Sequence, residues 1–89
     1  MPYIHPHIRT KIDDALDDFI DVLLSLPEPS EGDLNYSITR IAHAFINAKG
    51  VNYKNFNGVI GALECAKLEL YRRKIAPYED VKITENGDV

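Results

Sequence analysis

Residues 55–76 carry apolar side chains on two sides of one helix, and this pattern constrains the fold more than any other. Phe56, Val59, Ile60, Leu63, Ala66 and Leu70 form one stripe, while Leu68, Tyr71 and Ile75 form a second. A helix apolar on more than one side is buried on more than one side. In a chain of 89 residues that means a central position or a subunit interface. A domain this short buries only ~60–65% of its unfolded surface. The single cysteine, Cys65, excludes an internal disulfide. Small chains short of core commonly oligomerise, so a homo-oligomer is expected, a dimer joined in part through this helix. Gly58, Gly61, Ala62 and Cys65 add a strip of small residues. Glycine costs a helix interior ~1 kcal/mol relative to alanine, so close approach by a neighbouring backbone is expected there. Pro77 is expected to stop the helix at Ala76, because proline cannot continue the ladder.

Two further helices precede it. Ile8, Ile12, Leu16, Phe19, Ile20 and Leu23 recur at helical spacing, with Asp13, Asp14, Asp17, Asp18 and Asp21 opposite, as in an amphipathic helix with one wet face. Pro27 and Pro29 end that stretch. Asp33 is the expected N-cap of the next helix, whose stripe is Leu34, Ile38, Ile41, Phe45 and Ala48 and whose end is marked by Gly50;. The prediction is one all-α domain with helices at about 7–26, 33–49 and 55–76 and an extended C-terminal tail over 77–89. No helical period is evident in the tail, and Asn86-Gly87 reads as a turn.

The charge is ordered along the chain. Residues 1–29 hold two basic and six acidic groups, residues 51–76 five basic and two acidic, and residues 77–89 one basic and four acidic. The total of −4 argues against duplex nucleic acid, whose binders carry basic domains. An acidic–basic–acidic order suits pairing within the chain or between subunits. No apolar run approaches the ~20 residues of a membrane span. The opening lacks signal-peptide character and a lone cysteine fits a reducing compartment, so a cytoplasmic setting is expected.

No motif assigns catalysis. The Asp series reads as a solvated face, because hard-metal sites need oxygens converging from several elements. His5, His7 and His43 have no zinc-ligand spacing, and mid-helix Cys65 reads as an inert thiol. No cofactor, metal or catalytic residue is assigned. Glu64, Lys67 and Tyr71 share a flank of the third helix, where charged groups need partners, and Arg40 on the second helix is a candidate. With Glu69, Arg72 and Arg73 they form either an interhelical ion-pair network or a pocket for a small anion. The tail adds Tyr78, expected to pack on helices. Glu79 or Asp80 is expected to pair with Arg72, Arg73 or a basic group of a second subunit.

The run Gly58-Val-Ile-Gly-Ala-Leu-Glu-Cys-Ala-Lys-Leu-Glu-Leu-Tyr-Arg-Arg-Lys-Ile-Ala-Pro-Tyr-Glu-Asp80, the closing Glu85-Asn-Gly-Asp-Val89 and the upstream Gly32-Asp-Leu-Asn-Tyr-Ser-Ile-Thr-Arg40 resemble a family of small proteins of unknown function. That family is found in bacteriophages and in bacterial and archaeal genomes. The resemblance covers about 32–89, plus the Met-Pro-Tyr-Ile opening. It implies a cytosolic, phage-linked accessory role and a tail that belongs to the fold, and it transfers no catalytic residue. The expected function is a non-enzymatic interaction or regulatory module for a protein partner or a small anionic ligand. The alternatives are a metal-dependent nucleotide hydrolase using Glu64, Glu69, Glu79 and Asp80, and a purely structural oligomer.

Overall fold

The computed structural model describes residues 2–89 and has helices as its only regular elements among them, with α1 at Pro6–Leu24, α2 at Glu31–Lys49, α3 at Tyr53–Leu70 and α4 at Ala76–Asn86. Met1, the first residue of the Met-Pro-Tyr-Ile opening, lies outside the described residues. A single π-helical segment, Tyr71–Ile75, joins α3 to α4. The run 53–86 is therefore one continuous rod, and the molecule has three helical arms. The all-α class read from the periodicity holds. The extended tail does not, because residues 77–86 are helical.

Pro77 explains both the misreading and the observed geometry. A proline inside a helix lacks the N–H that would bond residue i−4, and its ring collides with that residue's carbonyl. Here the chain widens one turn instead of breaking: the Ala76 N–H bonds the Tyr71 carbonyl, five residues back. Pro77 thus falls in the first turn of α4, where a missing N–H has no intrahelical partner to lose. An apolar stripe does not carry α4. Lys82 Nζ lies 5.5 Å from the Tyr78 ring and 3.2 Å from Glu85 Oε2, both at helical spacings that stabilise exposed helices. Gly87, at φ 88°, ends it with its N–H on the Ile83 carbonyl. The Asn86-Gly87 pair is a helix end and not the turn of an extended segment.

The caps also differ from expectation. Ser30 caps α2, and Asp33 is its partner three residues on: the Ser30 hydroxyl accepts from the Asp33 N–H, and the Asp33 carboxylate accepts from the Ser30 N–H at 3.0 Å. That reciprocal pair is a capping box. Asn52 caps α3 by accepting from the Asn55 N–H at 2.9 Å. The Asn55 side chain donates to the Gly50 carbonyl at 2.8 Å, and Gly50 has φ 123°. These contacts lock the short turn and make α2 and α3 a helical hairpin.

The hairpin does not close over a core. Among the described residues none is buried. The radius of gyration is 16.6 Å, against ~12 Å for a compact domain of this length. The accessible surface is 7830 Å², about 2,500 Å² above that of a compact monomer of this mass. α1 packs along neither of the other arms. Among the described residues, nothing beyond the chain neighbours and the helix's own nearby backbone lies within 4 Å of where a side chain on Gly58 or Gly61 would begin. The close neighbour expected along the small-residue strip is not supplied by this chain itself.

Candidate functional site

Two regions stand out, one polar and one apolar. The polar one lies where the start of the chain meets the end of α3. Glu69 and Arg72, and Glu69 and Arg73, are one helical turn apart and so face one another. Glu69 Oε1 accepts from Arg72 Nη2 at 2.8 Å, from Arg73 Nε and from the Tyr3 hydroxyl. The Tyr3 oxygen in turn accepts from Arg72 Nη2 at 2.8 Å and Arg73 Nη2 at 2.9 Å. The Arg73 guanidinium lies 5.5 Å from the Tyr3 ring centre, within cation–π range. Only 19% of the Glu69 side chain reaches solvent. The Tyr3 hydroxyl first, and then Arg73, hold the Glu69 carboxyl below its ordinary range. The Tyr3 hydroxyl first, and then Glu69, push Arg73 up. The cluster satisfies itself and works as a latch between the two ends of the fold.

Most of the remaining sequence candidates have separate partners. Arg40 donates to its own-helix neighbour Tyr36 at 2.8 Å and stacks over that ring. It supplies no partner to α3. Glu64 and Lys67 pair with each other at 3.0 Å, both well exposed. The Tyr71 hydroxyl donates to Glu79 Oε1 at 2.6 Å, and that carboxylate raises the Tyr71 pKa. The expected pairing of Glu79 or Asp80 with Arg72 or Arg73 is absent within the chain: Glu79 serves Tyr71, and both arginines serve Glu69 and Tyr3. Tyr78 stays exposed and lies on Lys82 instead of packing on another helix. Glu64, Glu69 and Glu79 thus hold different partners. No group of three metal-ligating side chains forms among the described residues.

The Tyr71–Glu79 contact depends on the π segment. Eight residues in a regular helix leave two side chains roughly 80° apart around the axis. One extra residue absorbed by the wide turn makes them equivalent to a seven-residue pair, within ~20° of one face.

The apolar region is a groove of about 540 Å³ between α2 and α3. Ile38, Ile41 and Phe45 form one wall, Val59 and Leu63 the other, and Gly58 and Ala62 the floor. Lys49 and Lys54 stand at its end beside the turn. Phe45 is 55% exposed and Ile41 60%, so the chain itself does not fill the groove.

A family profile described as Domain of unknown function (DUF6899) matches residues 1–89. The chain belongs to this family. No curated protein and no solved structure matches it. The family description carries no activity, so the reading of these two regions rests on their geometry. Among the described residues no helix is long and apolar enough to cross a membrane.

Of the latch residues, charge and periodicity point to Glu69, Arg72 and Arg73 on the third helix but not to Tyr3. The signal for Tyr3 lies in the Met-Pro-Tyr-Ile opening, the only part of the first thirty residues covered by the sequence resemblance, whereas the family match extends over residues 1–89.

Proposed function

We propose that this protein is a non-enzymatic interaction module, an accessory or regulatory protein whose fold is completed by a protein partner. One observation carries the reading: no described residue is buried, while large apolar side chains on every arm stay exposed. Stability of a lone chain comes chiefly from burial of apolar surface, and three amphipathic arms without a shared core lack it. The partner therefore does for this chain what a core does for others. A small anion is the weaker candidate ligand, because Arg72 and Arg73 already face Glu69 and Tyr3. The phage-linked, cytoplasmic setting implied by the sequence resemblance suits such an accessory role.

The test is thermal unfolding by circular dichroism from low to high micromolar protein, alone and with added partner. Coupled folding and association predicts a Tm that climbs with concentration, or a weak and non-cooperative melt in the absence of a partner. A sharp, concentration-independent transition of a 10.1 kDa species would refute the reading.

A further inference from the structure

We propose that the partner is a second copy of this chain, and that α1 of each copy lies in the α2–α3 groove of the other. This rests on the interaction-module reading and adds the partner's identity and its mode of docking.

Surface area comes first. Each chain exposes 7830 Å², about 2,500 Å² more than a compact monomer of its mass. Two copies that buried this excess against each other would lose roughly 5,000 Å² in total, the scale of obligate homodimers. An unrelated partner could cover the same area. The shapes and charges available within the chain favour a second copy.

The groove needs an amphipathic helix, and the chain carries one without a seat. Ile12, Leu16 and Phe19 of α1 are each more than 40% exposed. From Ile8 to Leu23 the α1 stripe spans ~22 Å, and from Ile38 to Lys49 the groove spans ~16 Å, at ~1.5 Å per helical residue. The lengths match to within about one turn at each end. Helix-in-groove docking uses anchors at i, i+3, i+4 and i+7, which is the spacing of Leu16, Phe19, Ile20 and Leu23. The chain's own α1 stands off the groove. Its lead-in is latched by Tyr3 to the far end of α3, and it packs along neither wall.

Charge agrees. Asp13, Asp14, Asp17, Asp18 and Asp21 take part in none of the ion pairs among the described residues, and neither do Lys49 and Lys54 at the groove end. A helix lying apolar side down in the groove keeps its acidic flanks within reach of those two lysines. The contact is reciprocal, so it closes on a two-fold axis and stops at two copies. The small floor residues Gly58 and Ala62 would let the incoming helix approach α3 closely. That supplies the neighbour whose absence leaves Gly58 with open space.

The test uses the full-length chain in sedimentation equilibrium. The wild type should sediment at twice 10.1 kDa. Leu16→Asp spoils the inserted helix and Phe45→Asp spoils the groove, so each alone should be monomeric. Mixed in equal amounts they should form a heterodimer, since one intact helix–groove contact remains. The exposed pair Lys49→Glu/Lys54→Glu leaves the apolar surfaces untouched and guards against simple misfolding. It should keep the dimer but weaken it about tenfold at low salt, the sum of modest surface-charge effects.

A wild-type dimer that survives both Asp variants, or variants whose mixture stays monomeric, overturns the helix–groove contact and leaves the interaction-module reading standing. A wild-type monomer with a weak, non-cooperative melt also overturns self-pairing and preserves that reading, with another protein as partner. A wild-type monomer that melts sharply and independently of concentration overturns both. A species of three or more chains overturns the reciprocal pair.

Discussion

The latch at the end of α3 and the groove between α2 and α3 are built from the same kind of sequence, helix faces with charged and apolar residues in register, yet they end in opposite states. At the latch every strong group has found a partner inside the chain: Glu69 holds two guanidiniums and a hydroxyl, and Tyr3 answers both arginines. At the groove little is answered. Ile41 and Phe45 are more than half exposed, with Lys49 Nζ 6.0 Å from the Phe45 ring centre, and the lysines at its end pair with no acid. A cluster of charges that closes on itself positions the chain. An apolar surface that the chain does not cover is where the proposed partner would bind. On the reading proposed above, the groove and not the arginine-rich cluster is the binding surface.

The largest effect that could break this contrast is a charge placed in the groove. Phe45→Asp should weaken association by more than about 30-fold, since central anchors of an interface are worth ~2 kcal/mol or more. Titration calorimetry or sedimentation would read it. The matching change at the latch, Tyr3→Phe, removes the hydroxyl shared by Glu69, Arg72 and Arg73. It should leave association intact and raise amide exchange only around the start of α1. Equal effects of the two substitutions on association would erase the distinction.

The turn that sets the groove's geometry is the next target. Gly50 has φ 123°, and a side chain there would begin 3.4 Å from the Asn55 amide that closes the turn. Gly50→Ala should cost about 1–2 kcal/mol, a fall in Tm of roughly 4–16 °C for a domain of this size. An unchanged Tm would mean that the hairpin does not depend on that turn.

Acid and alkali should separate the latch from the α4 contact. The folded pKa of Glu69 is depressed, so its contribution is complete above the ordinary carboxylate value of about 4.3 and is lost as pH falls through the depressed one. Protection of the amides around Tyr3 should follow that loss, and Glu69→Gln should flatten it. Tyr71 behaves in the opposite sense. Its folded pKa is raised by Glu79, so its contribution is complete below the ordinary phenol value of about 10 and is lost as pH rises through the raised one. Phenolate absorbance should show one tyrosine titrating late, and Glu79→Gln should bring it back among the others.

The smallest expected effect is that of Pro77→Ala. Restoring the N–H lets the wide turn at Tyr71–Ile75 relax to regular α-helix, which swings Glu79 away from Tyr71 by roughly a quarter turn. Helicity should hold or rise slightly, while the late-titrating tyrosine should disappear. Persistence of that signal would mean the π segment does not set the contact.

Much of this was legible in the sequence, and the failures have definite causes. The stripes of Ile8–Leu23, Leu34–Phe45 and Phe56–Leu70 specify three helices because the apolar period is local. A shortage of core was legible too, in the two-sided face of α3 and the length of the chain, but not that no described residue would be buried. Pro77 misled because a proline usually ends a helix, and only the carbonyl geometry at Tyr71 reveals that one turn has widened instead. The helix of residues 77–86 was hidden for a related reason: charge pairs and a cation–π contact hold it, so it shows no apolar period. The pairing of Tyr71 with Glu79 could not be read from spacing, since those residues share a face only after the π segment shifts the phase. Arg40 and Tyr3 illustrate the limit of charge counting. Arg40 found a tyrosine on its own helix, whereas Tyr3 reached 66 residues along the chain to Glu69.

The central claim is that this chain gains its core only by association. Melting it by circular dichroism across a wide range of concentrations, with sedimentation on the same samples, tests that most directly. The account predicts a dimer whose Tm rises with concentration and a loss of cooperative structure on dilution. A 10.1 kDa species with a sharp transition at one temperature, whatever the dilution, would contradict it.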